Sequence, residues 1–147
     1  MSVTASPPVT WSEENNIRWK VPLKGQGNAS PIVWDGKIFV LAAVDTKVVD
    51  PSLPPPEEQP ERVFGITFPN TLFQFEVLCF DRFTGKKLWQ QTATEKVPHE
   101  GTHHHADFAC ASPVTDGERL YCWFGSAGMY CYSLDGTLLW KRDLGEV

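Results

Sequence analysis

The chain has 147 residues and a net charge of −5, a size suited to one domain. With 41% hydrophobic and 12% aromatic residues it can bury a core, which excludes a disordered tail. No basic stripe is present, which argues against nucleic acid as a partner, and no apolar run reaches the roughly 18 residues of a membrane span.

Residues 1–15 read as a flexible lead-in with neither the basic start nor the apolar stretch of a secretion signal. The protein is then cytoplasmic, or the chain lacks its native N-terminus. Ile17-Arg18-Trp19-Lys20-Val21-Pro22-Leu23 alternates apolar and polar residues, the period of a half-buried strand, and Pro22 suits an edge. Gly25-Gln26-Gly27-Asn28 reads as a turn. Residues 29–34 and 37–44 form a hairpin around Asp35-Gly36, because that dipeptide accepts positive φ. Residues 45–72 break the pattern with a Pro-rich run, read as a surface insertion. Strands follow at 73–81 and 88–94, joined by a turn over 81–85. Four more are expected near 108–114, 119–125, 128–134 and 137–143. No helix-period segment stands out, so the fold class is all-β.

A repeat organises these strands. Ala29-Ser30-Pro31-Ile32-Val33-Trp34-Asp35-Gly36 returns as Ala111-Ser112-Pro113-Val114-Thr115-Asp116-Gly117. Val77-Leu78-Cys79-Phe80-Asp81 and the turn to Trp89 return as Met129-Tyr130-Cys131-Tyr132-Ser133 and the turn to Trp140. A repeat of about 50 residues made of short strands points to a propeller, a solenoid or an array. Trp19 to Trp89 is 70 residues and Trp89 to Trp140 is 51, so the insertion accounts for the irregular spacing. Insertions of this kind lie in loops on one face, often the binding face; the plainer reading is a spacer. Trp19, Trp89 and Trp140 take equivalent outer-strand positions as packing residues, with Gly85 and Gly136 in the preceding turns.

Asp81-x-x-Thr84-Gly85-Lys86-x-x-Trp89 resembles the turn that recurs in pyrroloquinoline-quinone-like (PQQ-like) β-propellers. The second copy departs by one deletion, Ser133-Leu134-Asp135-Gly136. The run from His103 to Gly117, continued by Phe124-Gly125-Ser126-x-Gly128, is similar to a bacterial, planctomycete-type group of exported repeat proteins. The resemblance covers residues 16–147. It implies a partial propeller of two four-stranded antiparallel blades plus one outer strand: 16–24 as the outer strand of a closing blade, 28–95 as the first blade with the insertion 45–72, and 106–147 as the second. Such propellers close with more blades, so the chain is expected to be the N-terminal part of a longer protein, or to form a ring of several copies. The partners implied are other propeller blades, with a protein partner besides. A periplasmic or extracellular location is also implied. The function expected is a non-catalytic binding or scaffold segment, and no cofactor is expected. The alternative is part of a PQQ- or metal-dependent oxidoreductase with its site near the propeller axis.

The sharpest polar cluster is His99-x-x-x-His103-His104-His105-x-Asp107. Imidazole and carboxylate are ligands for zinc, copper or iron. In an extended segment His103, His105 and Asp107 share one face, which makes them the candidate metal ligands; a polar loop is the plainer reading. No catalytic residue is assigned. Asp81 belongs to the blade turn, Gly25-Gln26-Gly27 is too short for a dinucleotide loop, and Gly125-Ser126-Ala127-Gly128 reads as a hairpin turn. The four cysteines, at 79, 110, 122 and 131, show no metal spacing. In a hairpin turning at Ser126-Ala127, Cys122 lies opposite Cys131, as a strained disulfide or as two buried thiols.

Overall fold

Asp35 and Gly36 both take positive φ, 44° and 77°, which lets them close a two-residue hairpin between β1 (Ile32–Trp34) and β2 (Lys37–Val49). The computed structural model describes residues 6–60, 65–103 and 106–145. β3 (Thr71–Asp81) and β4 (Lys87–Lys96) complete an antiparallel sheet in the order β1-β2-β3-β4. β5 (Val114–Thr115), β6 (Arg119–Trp123), β7 (Met129–Ser133) and β8 (Leu138–Arg142) form a second sheet of the same order. These are the two four-stranded antiparallel blades of a partial propeller. No helix among the described residues is long and apolar enough to cross a membrane.

The two sheets repeat in detail. In the first, Phe39 pairs with Cys79 and Cys79 with Trp89; in the second, Tyr121 pairs with Cys131 and Cys131 with Trp140. Both sheets shift register immediately after that cysteine. The small thiol leaves room for two aromatic rings above it: Phe39 and Trp89 lie 5.9 Å apart, Tyr121 and Trp140 6.1 Å. The core lies in the seam between the sheets, where Phe39, Leu41, Phe75 and Val77 of the first meet Leu120, Cys122, Phe124 and Tyr132 of the second. A second cluster, Ala42, Leu78 and Phe80, sits on the other face of the first sheet under Val21.

The differences from expectation have local causes. Residues 17–24 join no ladder; the segment is tied down by Trp19 and by paired backbone hydrogen bonds between Gln26 and Ala43, 2.9 and 2.8 Å. β2 continues to Val49 rather than ending at 44, with a bulge at Lys47, whose φ is 64°. The Pro-rich stretch after it forms a short 3₁₀ turn at Pro56–Glu58. Gln59 pins that stretch, its amide donating to the Pro54 and Phe68 carbonyls and accepting from the Phe68 N–H. The strand expected over 108–114 shrinks to Val114–Thr115. Asp107 caps the Ala109 N–H at 2.7 Å in an earlier turn, and Pro113 has no N–H to give.

Of the two alternatives for Cys122 and Cys131, the structure has two buried thiols rather than a disulfide. Phe124 donates to the Gly128 carbonyl around a 3₁₀ turn at Gly125–Ala127, which pairs Cys122 with Tyr130 and Cys131 with Tyr121. A one-residue offset puts the two thiols on opposite faces of the sheet. All four cysteines are free, and Cys79, Cys122 and Cys131 are buried.

Candidate functional site

The residues of the repeat motif build turns. The Asp81 carboxylate accepts from the N–H groups of Phe83 and Thr84 and from the Thr84 hydroxyl, at 3.0, 2.7 and 2.8 Å. The Thr84 hydroxyl and backbone hold the Asp81 carboxyl below its ordinary range. In the second blade Ser133 does this work, accepting from the Thr137 N–H and pairing with Asp135.

Each turn ends on a buried glycine under an indole. Trp19 lies on Gly85 and donates Nε1–H to the Arg82 carbonyl at 2.9 Å; Trp89 lies on Gly136 and donates to the Leu134 carbonyl at 3.2 Å. Gly85 and Gly136 have φ of 73° and 92°, and a Cβ on either would stand 2.7 Å from the indole. Both the backbone and the close approach therefore require glycine. Trp140 is half-buried against Tyr121, with no turn upon it among the described residues.

The segment carrying His103 and Asp107 borders a cleft. It measures about 390 Å³ and lies between the 98–111 connection and the 123–126 turn. Its apolar lining includes Phe75, Phe108, Trp123 and Phe124, and its carboxylates are Glu100 and Asp107. A two-residue bridge between Thr67 and Thr102 fixes one wall. Burial disfavours the charged form of Glu100. The Ser126 hydroxyl, donating within 2.6 and 2.7 Å of its two oxygens, outweighs that and holds the carboxyl below its usual value. His99 Nδ1 stands 3.1 Å from Glu100 Oε2, in ion-pair range but outside hydrogen-bond alignment.

His103 and Asp107, two of the three expected metal ligands, both line this cleft; His105 lies outside the described residues. The Asp107 carboxylate is engaged in its own turn, and Cys110, an exposed thiol, donates to the Asp107 carbonyl. Among the described residues no three His, Cys, Asp or Glu groups cluster as a metal would need. Sequence reasoning missed Glu100, Ser126 and Trp123. Ser126 and Trp123 carry no local signature. Glu100, beside His99, becomes meaningful only when the chain folds back on the Gly125 turn.

The blades also meet at the Ala-Ser-Pro starts of their inner strands. The Ser30 N–H donates to the Ser112 hydroxyl at 3.0 Å, and the Ala29 N–H to the Ala109 carbonyl at 3.2 Å.

Residues 74–147 match the family model described as outer membrane protein assembly factor BamB, and this span is half of the chain. No curated protein matches the sequence.

Proposed function

The chain belongs to the PQQ-like propeller repeat family of that assembly factor, and on that premise we propose that it is a non-catalytic binding segment of an exported bacterial protein. Its place of work is the cell envelope or the extracellular space. The partner is a protein that lays a basic, apolar segment into the aromatic cleft. The observation that carries this reading is the cleft itself. Phe75, Phe108, Trp123 and Phe124 offer apolar and π surface, while Glu100 stays ionised beside them. Such a surface attracts a cationic side chain next to an apolar one. The net charge of −5 steers a basic partner in the same direction.

The competing reading is a quinone- or metal-dependent oxidoreductase. Pyrroloquinoline quinone carries three carboxylates and calls for cationic neighbours. Among the described residues the cleft lining holds Glu100 and Asp107 and neither Lys nor Arg, so these groups do not fit the quinone.

Fluorescence anisotropy with short labelled peptides tests the binding reading. Basic-apolar peptides should bind, weaken with salt, and weaken further with Glu100→Gln or Trp123→Ala. Equal binding of acidic and basic peptides would sink it. Saturable quenching by the quinone with calcium, coupled to dye reduction, would favour the oxidoreductase.

A further inference from the structure

The second blade joins its middle strands, β6 and β7, through residues 124–128; the first joins the matching pair, β2 and β3, through residues 50–70. The second blade forms without such an addition, so the extra chain is free to serve something other than the sheet. It is tied down at several points. Gln59 bonds to Pro54 and Phe68, and the Thr67 and Thr102 backbones exchange hydrogen bonds of 3.1 and 2.9 Å. Thr102 belongs to the connection that walls the aromatic cleft. These bonds set the walls before any ligand arrives, which lowers the cost of binding.

A second cleft, of about 270 Å³, adjoins the first. Pro56, Phe68 and Pro69 of the extra chain line it together with Phe73 and Phe108. Thr102, Ala106, Asp107 and Phe108 line both clefts. The floor continues from one to the other. Phe75 lines the first and Phe73 the second. Residues two apart on a strand share a face at a spacing of about 7 Å. Phe108 packs edge-on against Phe73, with ring centroids 5.0 Å apart. The two clefts are halves of one groove.

Asn70, the residue before β3, lines the second half and is 8% exposed. Its carbonyl accepts from the Asp50 N–H at 2.7 Å, but its side-chain amide has no hydrogen-bond partner among the described residues. The amide is not sealed in, because the fully enclosed, unpartnered side-chain atom among the described residues is His99 Nδ1. A buried polar group without a partner is uncommon and weakens the free protein. An asparagine amide offers two donors and an acceptor, the complement of another amide.

We propose that residues 50–70 add a second subsite to the groove, in which Asn70 pairs with an amide of the bound segment, its NH2 donating to the ligand carbonyl and its oxygen accepting from the ligand N–H. The inference rests on the peptide-binding reading and narrows its partner. The segment is extended and apolar, places a cation by Glu100, and presents an amide to Asn70, from its main chain or from an Asn or Gln side chain. A bare hydrocarbon or a simple amine would leave Asn70 unpaired.

Anisotropy with a labelled peptide of lysine and leucine alone tests this on Asn70→Leu and Asn70→Ala. Each variant should weaken binding about tenfold, the loss expected of one amide pair, while Asn70→Leu should leave the melting temperature unlowered because it breaks no bond in the free protein. Weakening with this peptide identifies a main-chain amide. Weakening that emerges only when a glutamine is added to the peptide identifies the side-chain amide. Binding that is lost with Glu100→Gln yet indifferent to both Asn70 variants, with either peptide, would overturn the inference and leave the cleft reading intact. Binding that depends on Asn70 but on neither Glu100 nor Trp123 would keep the Asn70 subsite and remove the cleft reading. Failure of both peptides to bind the unaltered chain would remove both.

Discussion

The indole of Trp89 rests on Gly136, so close that a Cβ there would stand 2.7 Å from the ring, and Trp19 rests on Gly85 at the same 2.7 Å. One tryptophan and one glycine thus join each unit to the next. The indole supplies apolar area, its Nε1–H satisfies a turn carbonyl, and the glycine supplies both the left-handed backbone and the missing side chain.

Gly136→Ala should destabilise the chain by about 1–3 kcal/mol from backbone strain alone, with the displaced indole adding to that. Gly85→Ala should cost less, because the Trp19 segment belongs to no ladder and can lift away. Urea unfolding of the two variants reads the difference; the reverse order would contradict the assignment of the seam as the principal core.

Trp89→Ala should cost about 3 kcal/mol, since it empties the centre of the seam beside Phe39 and Tyr132. Leu139→Ala, on a side chain 48% exposed, should stay within about 0.5 kcal/mol. Thermal melts of the pair check this contrast.

A thiol reagent should modify Cys110 rapidly in the folded protein and the other three cysteines only on unfolding. Cys110 is exposed, whereas burial pushes the Cys79 thiol up to about 11 and raises Cys122 and Cys131 as well. Mass spectrometry after timed labelling counts the adducts. Four adducts after reagent-saturated unfolding without reductant would show that no disulfide forms between Cys122 and Cys131.

Stability should fall in acid. Asp81 is held low by Thr84, and Asp116 by the N–H groups of Glu118 and Arg119. Their folded values lie below the ordinary 3.8, so their contribution is complete above that pH. It is lost as pH falls through the depressed folded values. Asp81→Ala should lower the melting temperature at pH 7 and flatten its decline below pH 4, roughly the ordinary carboxylate range. An unchanged acid slope would remove Asp81 from the account.

The blades were legible because each rests on local chemistry. Asp35-Gly36 specifies its hairpin, and Asp81-x-x-Thr84-Gly85 specifies a turn whose hydrogen bonds all fall within four residues. The hairpin at 123–129 was less legible. Gly125-Ser126-Ala127-Gly128 closes as a 3₁₀ turn, and the resulting one-residue offset decides which way Cys122 points. Strand 108–114 failed for a similar reason: the Asp107 side chain competes for the Ala109 N–H.

By itself the sequence determined the all-β class, the duplicated unit and the equivalence of Trp19, Trp89 and Trp140, because those follow from period, turn chemistry and repetition. Only the tertiary structure decided what the equivalent residues touch. Trp19 reaches across 63 positions to the Arg82 carbonyl, and Ser126 across 26 to Glu100. Contacts between residues so far apart in the chain leave no periodic trace in the sequence; they exist once two sheets bury their aromatic faces against each other.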